Sequence, residues 1–303
     1  MMNEVKCNDI FEAVRVRENI WQIQGQGGEL CYLVIGSKRA ILIDGLTGAG
    51  SLKEFVETLT DKPVEMVLTH GHLDHTGAAF EYQKCYMHPD DIALMFSERH
   101  SSREARYGFR KMDTPLATHK YRNLSIDDIV KTVPVVTYPI YDKDRISLGD
   151  SELEVIGVPG HTFGTLVFLY RKERVLFSGD ACNINTLLGL EGSTSIEQYL
   201  ESLRHLKEYD SEFDVMFGGH GRNTVDRSRV DDGIAMCERI LAGTDDREEA
   251  RNMQGDTVYY GARHNPDYTP ACGGLCNIQY SKKYLHKKDV SKYVPKTGTV
   301  IPR

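Results

Sequence analysis

Thr69-His70-Gly71-His72-Leu73-Asp74-His75-Thr76-Gly77 is the stretch on which the reading of this chain turns. Three imidazoles and a carboxylate crowd into six positions. Packing gives no reason for that, because such polar rings gain little in an apolar core. Borderline divalent metals do give one, since they take nitrogen and carboxylate donors, with histidine the commonest. If the stretch begins as an extended loop, His70 and His72 project the same way at period two. If it then turns into a helix, Asp74 and His75 swing to another side. One short segment can therefore serve two adjacent ions.

Working outward, residues 65–69 read as a buried strand that delivers this loop. Upstream, β-rich runs at 19–24, 30–35 and 39–44 are separated by glycine-bearing turns, which suits antiparallel neighbours. Leu52, Phe55, Val56 and Leu59 give residues 51–60 one buried helical face, ended by Pro63. Downstream come a short strand near 84–87 and a helix opened by Pro89. Residues 98 to about 134 are polar and Arg-rich and read as an insertion or lid. Strands then return at 145–148, 152–157, 165–170, 174–178 and 214–217, with helices at about 195–209 and 227–242. Beyond Gly243 the chain is polar, with Gly, Pro and Tyr and a Lys-rich end. Two halves, each with strands followed by helices, point to an α/β chain with a two-sheet core and helices outside.

Three later residues repeat one local arrangement of strand, glycine and ligand-type side chain. His161 lies in Pro159-Gly160-His161-Thr162-Phe163-Gly164, Asp180 follows Ser178-Gly179, and His220 follows Gly218-Gly219. Glycine permits the sharp turns that bring backbone close to a bound ion.

These residues carry a family likeness. The chain resembles the metallo-β-lactamase-fold hydrolases, on their glyoxalase II and lactonase side, through His70-x-His72-x-Asp74-His75, Pro159-Gly160-His161-Thr162-x-Gly164, Ser178-Gly179-Asp180 and Gly219-His220. The likeness spans about residues 17–222 and implies an αββα sandwich of two mixed sheets covered by helices, with a dinuclear site at one sheet edge. It implies that His70, His72 and His161 hold one ion, that Asp74, His75 and His220 hold the other, and that Asp180 bridges. Asp44, in Leu42-Ile43-Asp44-Gly45, matches the family's carboxylate that orients a ligating histidine. The family's glycine pair after the histidine motif is Gly77-Ala78 here. The domain expected on this basis covers residues 1–245, including the insertion at about 98–134. A C-terminal extension, 246–303, has no assigned role and is expected to pack on the core.

The implied cofactors are two divalent metal ions, zinc first, with manganese and iron suited to the same donors. A hydroxide shared between them would cleave an ester, thioester or lactone bond of a small molecule, with Asp74 and Asp180 as catalytic carboxylates. The alternatives are a mononuclear iron oxidoreductase resembling the persulfide dioxygenases and a metal-retaining ligand sensor with little turnover. Zinc β-lactamases of this fold lack a bridging aspartate, so Asp180 argues against β-lactam hydrolysis. Phosphodiesterase chemistry on nucleic acid is disfavoured by charge. The 303 residues carry 37 Lys+Arg against 44 Asp+Glu, a formal charge of −7, and phosphate binding needs clustered base.

The same acidity disfavours an anionic membrane surface, and the charged start of the chain lacks a signal-peptide core. The seven cysteines are an odd, scattered set that reads as reduced thiols in a cytoplasmic protein. Cys272 and Cys276 have no second pair with which to close a tetrahedral site. Assembly with further copies of the chain stays open. For substrate binding, the insertion offers Tyr107, Phe109 and His119, with Tyr121, beside Arg103, Arg106 and Arg110. That mixture suits an acyl chain or ring that bears an anion.

Overall fold

The structure is a computed structural model that describes residues 4–110, 124–221, 225–252 and 255–292. Eight strands form the first sheet in chain order: Val5–Cys7, Glu12–Arg17, Ile20–Gln24, Leu30–Ile35, Ala40–Ile43, Val64–Val67, Lys84–Met87 and Val136–Pro139. Neighbours are antiparallel up to Ala40–Ile43 and parallel beyond it. The second sheet runs Val225–Asp226, Val215–Gly218, Val175–Gly179, Leu166–Tyr170, Glu152–Gly157, Arg145–Ser147. There Val175–Gly179 and Val215–Gly218 are parallel, so both end at the same edge.

The period-two alternation of each strand splits its side chains between two cores. Leu30, Tyr32 and Val34 face the second sheet and meet Val155, Phe168 and Phe177 between the sheets. Cys31 and Leu33 face the other way, onto Leu52, Phe55 and Val56 of the helix Leu52–Glu57. Behind the second sheet, Val167, Leu169 and Leu176 pack on Tyr199, Leu203 and Leu206 of the helix Ile196–Lys207 and on Met236 and Ile240 of Arg229–Ala242. Helix, sheet, sheet, helix is the αββα order of a metallo-β-lactamase sandwich. Local signals start and stop these helices. Ser51 Oγ accepts the Glu54 N–H and Ser195 Oγ accepts the Gln198 N–H, each at 3.1 Å, and Gly243 ends the last helix at φ 70°.

A third sheet differs from the sequence reading, which has no strands after Gly243. Its order is Asn185–Leu188, Asn277–Tyr280, Thr257–Tyr260, Glu248–Arg251. The strands are four residues each, and Glu248–Arg251 is a half-exposed edge of charged residues, so the apolar alternation is too short to register. Ile278 and Tyr280 complete the core beneath Ile196–Lys207. The segment 98–110 forms the short helices Glu98–Ser101 and Arg103–Arg110; His119 and Tyr121 lie outside the described residues. None of the seven cysteines is paired. Among the described residues, no helix is long and apolar enough to cross a membrane.

Candidate metal centre

Strand ends deliver the donors. His70 and His72 leave the Val64–Val67 strand on an extended loop, and Asp74 and His75 sit on the short helix Leu73–Thr76 that follows. His161 follows Glu152–Gly157, Asp180 follows Val175–Gly179, and His220 follows Val215–Gly218. Two glycines let the sheets close this tightly. At Gly179, φ +47°, a Cβ would lie 2.6 Å from Thr69 Oγ1, and at Gly219 it would collide with Asp180 Oδ1.

Three triads of donor atoms result: His70, His72 and His161; His70, His75 and Asp180; Asp74, His75 and His220. Within each, the atoms lie inside 4.8 Å of one another. His72 Nδ1 is 2.9 Å from His161 Nε2. Asp180 Oδ2 is 3.6 Å from His161 Nε2 and 3.3 Å from His220 Nε2, while its Oδ1 is 3.6 Å from His75 Nε2. Asp74 Oδ2 is 3.3 Å from His220 Nε2.

Outer contacts fix which ring nitrogen points inward. The His75 Nδ1–H donates to Asp44 Oδ2 at 2.8 Å, and the His161 Nδ1–H donates to the Leu187 carbonyl at 2.8 Å. The Thr69 hydroxyl donates to Asp44 Oδ2 at 2.8 Å and takes the His70 Nδ1–H at 3.0 Å. Each of these rings therefore turns its Nε2 toward the cluster. His70 Nε2, His75 Nε2 and Asp180 Oδ1 are buried without a hydrogen-bond partner among the described residues. Unsatisfied buried atoms of this kind are costly in a folded protein, and a divalent cation among them satisfies all of them. Asp44 holds His75 directly, and His70 through the Thr69 hydroxyl, from φ 65°, a left-handed conformation that is uncommon outside glycine.

Charge reads the same way. Burial pushes His70 and His72 well below the usual imidazole range and lowers His161. Burial also opposes charge at His75, but Asp44, Asp180 and Asp74 outweigh it and hold that ring up to about 9. His220 is raised well above its ordinary value by Asp180 and Asp74, again against burial. Both carboxylates are held low by His75 and His220 despite their burial. Protons on those rings thus balance the acids, a task a divalent cation performs while freeing the nitrogens as donors.

Sequence reasoning missed three buried polar residues around this cluster. Asp91 accepts the Gly71 N–H, the Thr162 hydroxyl and the Gly164 N–H, and burial holds it up to about 6 despite those donors. Glu29 accepts the Gly27 N–H at 2.7 Å and the Thr47 hydroxyl at 3.2 Å, and its backbone bridges His220. His100 stacks on His72 with ring centroids 4.8 Å apart. Asp91 opens a helix, where an acid is ordinary, and Glu29 and His100 are isolated in sequence, so no spacing marks them.

The insertion residues divide. Phe109 lies against Gly27, where a Cβ would come within 2.9 Å of its Cε1. Tyr107 packs on Ala49, Leu124 and Ile129, and its hydroxyl donates to the Leu124 carbonyl. The expectation that Arg103 and Arg106 face an anionic substrate is corrected. Arg103 donates to the carbonyls of Ile126 and Ile129, and Arg106 is fully buried on Phe80, donating to the carbonyls of Thr47 and Val130. Backbone carbonyls in the loops beside these helices are nearer than solvent, so the two side chains bolt the segment down.

A family model described as the metallo-beta-lactamase superfamily matches residues 25–220. Among curated proteins, acyl-coenzyme A thioesterase MBLAC2 of Homo sapiens is 25% identical over 205 residues, 63% of this chain and 68% of that protein. An uncharacterised protein of Aquifex aeolicus is 27% identical over 209 residues, 66% of this chain and 88% of its own. Among solved structures, DIM-1 metallo-beta-lactamase superposes with a TM-score of 0.53 at 18% identity, covering 78% of this chain and 100% of that one. The sec-alkylsulfatase Pisa1 of Pseudomonas sp. gives 0.55 at 17% identity over 76% of this chain, which spans 42% of the sulfatase.

Proposed function

The chain belongs to the metallo-β-lactamase superfamily and is a metal-dependent hydrolase, and from that premise we propose that it is a dinuclear thioesterase. The observation that carries the dinuclear reading is Asp180, whose carboxylate lies 3.6 Å or less from His161, His75 and His220 at once. His70, His72 and His161 would hold the first ion, Asp74, His75 and His220 the second, and Asp180 would join them. Zinc fits these nitrogen and carboxylate donors, as do manganese and iron. The thioester is favoured by the acyl-coenzyme A thioesterases among the relatives, and esters or lactones are the neighbouring acyl substrates.

Bound divalent ions lower the pKa of water toward neutrality and polarise a carbonyl. The chain's own residues do the rest. Asp74, at Oδ2, takes the proton lost as water oxygen bonds to the acyl carbon. The carbon–sulfur bond then breaks, the thiolate leaves with its electron pair, and the proton follows it. Asp44 and the Leu187 carbonyl keep His75 and His161 from rotating while charge moves. Phe109, packed on the loop that bridges His220, supplies apolar surface for the acyl chain.

Metal analysis of protein purified without added metal, with a thioester, ester and lactone panel, tests this reading. Close to two divalent ions per chain and preferred thioester turnover are expected. One ion per chain with iron dominant would favour the oxygenase reading, and bound metal without turnover would favour the sensor.

A further inference from the structure

His100 sits on the helix Glu98–Ser101, and the residue is 6% exposed. The ring lies nearly parallel to that of His72, at 27° and 4.8 Å between centroids. Its Nδ1 accepts the Leu73 N–H at 3.3 Å. An imidazole nitrogen that accepts carries no proton, so the hydrogen of the neutral ring is on Nε2. That Nε2 is buried and has no hydrogen-bond partner among the described residues. A buried donor is normally satisfied, and those left open in native structures call for an explanation.

Metal ligation does not supply one, because a ligand must offer a lone pair and this nitrogen carries hydrogen. An open donor, set beside a histidine of the metal cluster, matches an oxygen-bearing group that arrives from outside.

We propose that His100 is a substrate-binding residue whose Nε2–H donates to an oxygen of the acyl group lying beside His72. The inference rests on the hydrolase reading of the metal centre but not on the thioester. Any acyl substrate, and equally its carboxylate product, brings the required acceptor. Selectivity then includes a polar contact from the insertion, in addition to the metal donors.

The test uses the full chain loaded with zinc and two variants. His100→Phe keeps a ring on His72 and removes the donor; His100→Gln restores an N–H at similar reach. Zinc content is measured first, then butyrate binding by calorimetry, then kcat/KM on whichever panel substrate the wild type cleaves. His100→Phe should retain its zinc and bind butyrate about tenfold more weakly, the size of one hydrogen bond. His100→Gln should recover most of that loss, and kcat/KM should follow the same order. Butyrate binding within twofold of wild type in His100→Phe overturns the proposal. Loss of zinc in that variant also overturns it, and makes His100 a support for His72. If no thioester is cleaved but the butyrate pattern holds, the thioester reading fails and this inference stands.

Discussion

The Thr162 hydroxyl and the Asp91 carboxylate meet at 2.6 Å, and the same carboxylate oxygen takes the Gly71 N–H at 2.8 Å. Gly71 separates His70 from His72, and Thr162 follows His161. One buried side chain thus ties together the two loops that carry the first histidine triad. Asp91→Ala is expected to weaken zinc binding roughly 10- to 100-fold, as losses of such outer contacts do. Thr162→Val, which removes one of the donors, should cost less. Chelator competition on the two variants measures both, and wild-type affinity in Asp91→Ala would refute the tie.

Asp180 and Cys182 are two residues apart and should behave oppositely. Asp180→Ala removes a carboxylate in reach of His75, His161 and His220, so activity should fall by more than the roughly 100-fold of an outer contact. Cys182 is packed in the core under Ile196–Lys207, so Cys182→Ala should cost about 1 kcal/mol of stability and leave kcat near wild type. Rates of the two variants, corrected for zinc content, decide it.

Zinc affinity should rise with pH. In metal-free protein His75 keeps its proton up to about 9 and His220 is raised well above its ordinary value, so at pH 7 zinc must displace both protons. Each displaced proton steepens the dependence by roughly tenfold per pH unit. His75 drops out of that slope above about 9, where the ring is already neutral. The same sign governs metal-free stability: the raised His75 contributes fully below 6.5, and its contribution is lost as pH rises through about 9. Competition titrations at pH 6, 7, 8 and 9 read the slope, and a flat profile would contradict this account.

Arg106→Met should leave substrate charge preference unchanged and lower stability by roughly 1–3 kcal/mol, because the carbonyls of Thr47 and Val130 lose a buried donor. Urea unfolding gives the stability. A ratio of kcat/KM for anionic and neutral acyl substrates gives the preference, and a shift in that ratio would return Arg106 to the substrate site.

The sequence makes the donor cluster readable for a physical reason. Metal ligands must be particular residue types, and strand ends with glycine are the places that bring them close. His70, His72, His161, Asp180 and His220 carry both signals, and Asp74 and His75 follow on the short helix after the first of these loops. Asp44 is readable through its strand end. Asp91 and His100 are not, because what makes them special is burial among residues distant in sequence. Arg106 misled for the same cause, since arginine in a polar segment reads as exposed until the carbonyls it satisfies are known. The third sheet stayed hidden because its strands are short and its edge is charged.

That sheet also sets an order of events as the chain is made. Asn185–Leu188 pairs in parallel with Asn277–Tyr280, and the Leu187 carbonyl in that ladder holds His161. Roughly ninety residues must therefore leave the ribosome between the strand and its neighbour, and pairing over such separations is slow. A nascent chain that has released all the metal donors still lacks the strand that steadies His161. The metal centre should mature only after Asn277–Tyr280 has emerged and paired, which limits premature capture of metal by a half-made sandwich.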